Sequence, residues 1–293
     1  MRVVVRAGCC ALAVVFACGA TGTARADSIG DEVSNYFTNW FDRVDQAQAS
    51  QPHWMTPIVT VTPRLEEEYR YDQFWQNTPN GASVDNYGGG KGLELIPTTT
   101  NEIIIGQPPY IVRNGNNEHN GFGDWPFLLI KQRLLSANEQ DGNYIVTAFL
   151  QGVAPLGAKG FSTNSYAINP TLAFGKGWGD FDIQATIGGS FPIAYENKIG
   201  VQVPMNISFQ YWLRPYLWPE FEVQNIYFVD GPHGGKNQVL LTPGIMFGRF
   251  RLYGRLKLSF GVGYQIAVAP PQSRVATLPL YRNSPIVSVR FSF

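Results

Sequence analysis

At 293 residues, with 22 basic and 22 acidic side chains, the chain is long enough for a large core and too evenly charged to favour a nucleic-acid partner. Its three cysteines, Cys9, Cys10 and Cys18, all fall in the first 26 residues, so the rest of the chain can form neither a disulfide nor a thiolate metal site.

Those first 26 residues read as a secretory signal. Arg2 and Arg6 precede an apolar run over residues 7–20, and Ala24-Arg25-Ala26 has the A-x-A form of a cleavage site. A weaker rival is lipoprotein processing at Cys18, where Phe16 fits the motif badly. Cleavage after Ala26 removes three arginines and no acid, leaving 19 bases against 22 acids. Beyond residue 26 no run of about 18 to 20 apolar residues offers a transmembrane helix. A membrane-bound mature chain therefore has to span as a closed barrel, which satisfies every backbone group in lipid. The 31 glycines and 14% aromatic content suit tight turns and interfacial rings.

Residues 27–55 are predicted to form an amphipathic periplasmic helix and linker. Val33, Tyr36, Phe37, Trp40, Phe41 and Val44 make one apolar stripe, Ser28 with Asp31 can cap its start, and Pro52 marks its stop. From Thr56 to the end the period changes to two, which predicts a barrel over residues 56–293. In the first strand Leu65, Tyr69, Tyr71 and Trp75 share one face; Arg64, Glu66, Glu68, Arg70 and Asp72 share the other, with Glu67 the misfit. Each charge on lipid costs roughly 2 to 4 kcal/mol at the midplane, so this row is expected to face the interior.

A Gly- and Asn-rich loop over 77–90 leads to two short strands, 92–97 and 102–106, around a tight turn; 107–120 reads as a long polar loop. Residues 124–135 are apolar on both faces at first, consistent with a bulge near Pro126. Alternation then continues through strands containing Tyr144 to Leu150 (with Phe149 an exception), Tyr166 to Phe174, Phe181 to Phe191, Val203 to Leu213, Phe221 to Tyr227, Val239 to Phe247 and Leu252 to Val268. The interior faces of these carry Asp182, Glu220, Glu222, Arg251, Arg255 and Lys257. Short links at 175–179, 215–218 and 248–249 alternate with longer ones at 155–164, 194–200, 229–237 and 269–283, the asymmetry of an outer-membrane barrel. Trp178, Trp212, Tyr216, Trp218 and Phe250 cluster at the short-link ends, where an aromatic girdle is wanted.

The last strand puts Pro285, Val287, Val289, Phe291 and Phe293 on one face and Ser284, Ser288, Arg290 and Ser292 on the other, broken only by Ile286. A terminal Phe closing such a strand resembles the insertion signal of bacterial outer-membrane barrels. That resemblance makes Phe291 and Phe293 the candidate signal, with the barrel-assembly machinery as partner. About twelve antiparallel strands behind an amphipathic helix is the expected all-β transmembrane fold, in outer-membrane lipid.

Gly121-Phe122-Gly123-Asp124, then Lys131-Gln132-Arg133-Leu134, then a strand ending Pro155-Leu156-Gly157, resembles a proteobacterial outer-membrane family labelled transporters or meta-pathway phenol-degradation proteins. Its members are similar in a G-x-G-D opening, a K-Y-R-like triplet and a P-T-G loop. Gln132 replaces the aromatic here, Leu156 replaces the Thr, and the Asp124 to Lys131 spacing is one residue long. The resemblance covers mainly residues 121–174 and implies a barrel that passes small, often aromatic, carbon compounds.

Mixed charge in a wet lumen would orient solutes and set selectivity. The expectation is a passive channel for small molecules, with Glu66 and Glu68 meeting Arg290 across the seam; the alternative is a non-conducting structural or adhesive barrel whose pairs only close the wall. The apolar half of 124–135 with Phe149, Trp212 and Trp218 offers either an apolar patch for a solute or packing against the helix. His53, His119 and His233 lie apart and next to no nucleophile motif, so no catalytic residue, metal site or cofactor is expected.

Overall fold

The computed structural model describes residues 26–89, 91–115, 118–270, 278 and 280–293. Apart from Ala26, the expected signal segment lies outside them.

The apolar stripe over 27–52 is carried by two helices, α1 (Ala26–Thr38) and α2 (Trp40–Ala49), separated at Asn39. Asparagine competes for nearby backbone groups and weakens a helix interior. α1 belongs to a unit of its own, distinct from the one that begins at Trp40, and leaves Val33 and Phe37 exposed.

In the second unit the strands are β1 (Glu68–Asn77), β2 (Ser83–Tyr87), β3 (Gly92–Thr98), β4 (Asn101–Ile105), β5 (Tyr110–Asn114), β6 (His119–Phe122), β7 (Trp125–Ala137), β8 (Tyr144–Ala154), β9 (Ala167–Trp178), β10 (Phe181–Gly188), β11 (Phe191–Pro192), β12 (Gln202–Tyr211), β13 (Leu217–Phe228), β14 (Lys236–Tyr253), β15 (Leu256–Ala269) and β16 (Asn283–Ser292). A short helix, α3 (Glu196–Ile199), lies between β11 and β12. Twelve strands make the wall in the order β1, β3, β4, β7, β8, β9, β10, β12, β13, β14, β15, β16, all antiparallel. β16 pairs back onto β1, from Glu68 opposite Ser292 to Asn77 opposite Asn283, so the sheet has no free edge there.

Burial is inverted relative to a water-soluble sheet. Phe260, Val262, Tyr264, Ile266 and Val268 of β15 are exposed, while Ser259 and Gln265 on the other face are buried. Arg70, Asp182 and Arg290 are buried likewise. A band of this kind is stable only against lipid. Links at 99–100, 138–143, 179–180, 212–216 and 254–255 stand at the end that holds both the start of β1 and the end of β16; the longer connections stand at the other end. The short-link end is periplasmic by that asymmetry.

Three expected elements differ. The wall begins at Glu68, not near Thr56, because residues 51–67 leave the sheet altogether. The polar stretch from residue 77 on contains β2, β5 and β6, which branch from the outer half of β1 as an extension of the same sheet (β1-β2-β5-β6). The link expected at 248–249 is a bulge: β14 runs on to Tyr253, register shifts between Phe247 and Phe250, and Arg249 takes φ 61. A Gly followed by a left-handed residue mimics a turn in sequence, but the reversal occurs at Gly254 and Arg255. The bulge expected near Pro126 is present, as a register shift between Trp125 and Leu128.

Candidate functional site in the barrel lumen

Residues 51–67 enter the lumen from the periplasmic end, turn, and return to the start of β1. Ile58-Val59-Thr60-Val61-Thr62 has the composition of a strand, yet Pro57 and Pro63 on either side lack the N–H a ladder needs, and the segment pairs with no strand. Its backbone groups are instead taken up by wall side chains. Glu220 accepts from the Ile58 amide at 3.0 Å, and Glu222 accepts from the Val59 and Thr60 amides at 2.7 and 2.5 Å. From β16 and β1, three and four strands further round the wall, Arg290 donates to the carbonyls of Thr56 and Pro57, and Arg70 donates to that of Ile58. Arg249 holds the His53 and Trp54 carbonyls at 2.7 and 2.6 Å. Gln184 donates to the Met55 carbonyl, and Thr147 donates to that of Pro63.

The limbs are also tied to one another and to the wall. Arg64 donates to the Pro52 and Trp54 carbonyls and pairs with Glu66 at 2.7 Å. Lys131 bridges the Arg64 carbonyl and Glu102, and Glu102 in turn accepts from the Glu66 amide at 2.6 Å. Each charge-assisted bond of this kind is worth about 1.5–3 kcal/mol, so the loop is firmly seated without sharing a ladder.

Apolar contacts complete the seat. Ile58 and Met55 pack with Trp218, Met246 and Ile286, and Val61 packs on Ile104, Leu129 and Phe149. Wall glycines make the approach possible. A Cβ on Gly175 would lie 2.4 Å from the Trp54 ring, and one on Gly244 would lie 2.7 Å from the Ile58 δ-methyl. The loop fills this part of the lumen, and is called the plug below.

At the periplasmic mouth α2 packs Val44 and Ala47 against Leu65 and Ile96. Arg133 donates to the Ala47 carbonyl and Asn138 donates to that of Ala49, covering groups the last helical turn leaves open. Trp40 donates to Glu67, whose other oxygen accepts from the Ile96 amide. Arg255 grips Asp45 at 2.5 and 2.9 Å, and these bonds hold the Asp45 carboxyl below its ordinary range.

Outward of the plug tip lies a cavity of about 330 Å³. Its apolar lining includes Val59, Val61, Phe74, Ile104, Pro126 and Leu129, and its polar lining is Arg70, Asp72, Lys91 and Gln151. An engineered cavity of ~150 Å³ holds benzene, so this one has room for a single-ring or short-chain compound.

The fold is that of an outer-membrane barrel. The solved structures it resembles include the COG4313 outer membrane channel from Pseudomonas putida F1, 12% identical over 76% of this chain and 92% of that one, with a TM-score of 0.51. They also include the NanC porin, 7% identical over 76% and 98% with a TM-score of 0.49, and the KdgM porin, 9% identical over 77% and 99% with a TM-score of 0.44. No family model matches the chain, and no curated protein matches it.

The expected lumen residues divide into three groups. Glu68, Arg70, Asp72, Asp182, Glu220, Glu222 and Arg290 face inward from the wall and are buried. Arg64 and Glu66 belong to the plug. Arg251, Arg255 and Lys257 sit at the periplasmic mouth, around a groove shared with Asp45. The expected meeting of Glu66 and Glu68 with Arg290 makes no direct ion pair among the described residues, although the charges of Glu68 and Arg290 are close enough to act on each other. Register places Arg290 opposite Arg70, and the plug carbonyls occupy the Arg290 guanidinium. Trp218 is buried in the plug seat rather than in the girdle, whereas Trp178, Trp212 and Tyr216 are exposed. Phe291 faces outward.

Lys131, Glu94, Glu102 and Lys91 were missed, and so was the plug itself. Their signal was in the exceptions. Phe149 and Ile286 break the alternation because apolar side chains in the wet register pack on a filled lumen.

Proposed function

We propose that this chain is an outer-membrane channel for passive passage of small molecules, with residues 51–67 as its movable plug. The observation that carries this is the mode of attachment: the plug is held by side-chain bonds to its backbone, so it can leave without unpairing any strand. The apolar cavity at its tip supports the hydrophobic or aromatic solutes, and the membership in the transporter and phenol-degradation family, that the sequence resemblance implies. Lumen charges that bind the plug when it is seated become available to solutes when it is displaced, giving Glu68, Arg70, Asp72, Asp182, Glu220, Glu222 and Arg290 their selectivity role, with Arg251, Arg255 and Lys257 at the inner mouth. The helix α2 at the periplasmic mouth and the Phe291 and Phe293 insertion signal complete the reading.

The rival, a non-conducting structural barrel, draws on the complete burial of Ile58 and Leu65 inside the lumen. Planar-bilayer recordings separate the two. Solute-dependent openings that change when Glu68 or Arg255 is neutralised support the channel, and electrically silent protein that stays silent with the plug deleted supports the rival.

A further inference from the structure

Two cations lining the outer cavity each keep a donor without a hydrogen bond. Arg70, 2% exposed, places Nε 3.0 and 2.9 Å from the two Asp72 oxygens, and Nη2 2.8 Å from Asp72 and onto the Ile58 carbonyl; its Nη1 is buried without a hydrogen-bond partner. Lys91 Nζ is buried without one too: its ion pair with Glu94 is 3.8 Å long, beyond hydrogen-bond distance. Leaving such a group unmatched is costly, the more so when it is charged. Both side chains line the same cavity, whose one acidic lining residue, Asp72, is already committed to Arg70. The remaining surface is mostly aliphatic or aromatic.

We infer that the cavity is a binding site for a small apolar molecule carrying one carboxylate, its head on Arg70 Nη1 and Lys91 Nζ and its body against Val61, Phe74, Ile104 and Leu129. A guanidinium N–H beside an ammonium matches the two oxygens of a carboxylate, and burial strengthens both bonds. An alcohol of the same shape can satisfy only part of this demand. An amine adds a third cation. The inference rests on the channel reading for its biological sense, since the cavity would be the stage at which an entering solute waits for the plug to move.

Isothermal titration of the full-length protein in zwitterionic-lipid nanodiscs tests it, with 3-phenylpropanoate, 3-phenylpropan-1-ol and 3-phenylpropan-1-amine as probes. The acid is expected to bind at least about tenfold more tightly than the alcohol, which is 1.4 kcal/mol, and the amine more weakly than either. Lys91→Gln should bring the acid-to-alcohol ratio close to one, and Lys91→Arg should restore it, with heat-modifiable mobility on gels confirming a folded barrel in each. Equal binding of acid and alcohol by the unmodified protein, tighter binding of the amine, or a ratio that survives Lys91→Gln overturns the inference. Uptake of the same probes into proteoliposomes judges the channel separately. If alcohol and acid bind alike and both enter, the anion site falls and the channel stands. If acid preference is present but nothing enters even when the plug is destabilised, the site stands and the channel reading falls.

Discussion

Glu222 offers the sharpest perturbation of the plug. Its two carboxylate oxygens accept from the Val59 and Thr60 amides at 2.7 and 2.5 Å, and no strand pairing shares the load. Glu222→Ala deletes both acceptors and leaves two backbone donors facing an apolar methyl. Two charge-assisted bonds at about 1.5–3 kcal/mol each give a loss of about 3–6 kcal/mol for the seated state. At 1.4 kcal/mol per tenfold, the seated-to-released ratio falls by roughly two to four decades. The barrel itself should persist, because Glu222 lies in β13 with its ladder to β12 and β14 intact. Single-channel recording in a planar bilayer reads the outcome. The unmodified protein should be closed or of small conductance most of the time, and the variant should show longer and larger openings at the same applied voltage. An unchanged open fraction in a variant that still migrates as a folded barrel would refute the view that these bonds keep the lumen shut.

Gly175→Val places a branched side chain where a Cβ alone would stand 2.4 Å from the Trp54 ring. Overpacking of this kind costs about 1–3 kcal/mol; thermolysin should cut within residues 51–67 faster than in the unmodified protein, and equal cleavage would count against the seat. Ile286→Ser restores strict alternation to β16 but removes a side chain from the Ile58 cluster. By analogy with large-to-small core changes it should weaken the plug by about 2–5 kcal/mol, seen in the same digestion, whereas Val287→Ser on the outer face should not alter it. Val262→Arg puts a charge on a lipid-facing position and should lower folding stability in lipid vesicles by about 2–4 kcal/mol, measured by guanidinium titration. Asp45 has its carboxyl held low by Arg255, so its contribution is present above the ordinary value of 3.8 and is lost as pH falls through the depressed one. Protection factors in α2 should therefore be level from neutral pH down to about pH 5 and drop only below 3.8, a step that Asp45→Asn abolishes.

Much of the wall was legible because a lipid-facing barrel writes period two into every strand. β15 follows it closely, with Phe260, Val262, Tyr264, Ile266 and Val268 exposed and Ser259 and Gln265 buried. Boundaries failed where backbone geometry imitates a turn, as at Gly248 and Arg249, or where polar composition hides short strands, as in β5 and β6. The plug was unreadable for a physical reason: an extended segment anchored through its own carbonyls and amides needs no pattern of side chains, and Ile58 to Thr62 look like any strand. The charges Glu220, Glu222, Arg70 and Arg290 were found by their inward register. Their present partners were not, since a carboxylate bound to a main-chain amide leaves no complementary residue in the sequence.

On the proposed reading, seating of the plug closes the pore, and one measurement bears on that most directly. The chain has no cysteine beyond residue 18, so a pair introduced at Ile58 and Ile286, neighbours in one apolar cluster, is free of competing thiols. Conductance is recorded from the same bilayer before and after reduction of that cross-link. The account predicts minimal current while the plug is tethered and openings once the bond is reduced. Full conductance through the cross-linked barrel, equal to that after reduction, would contradict it.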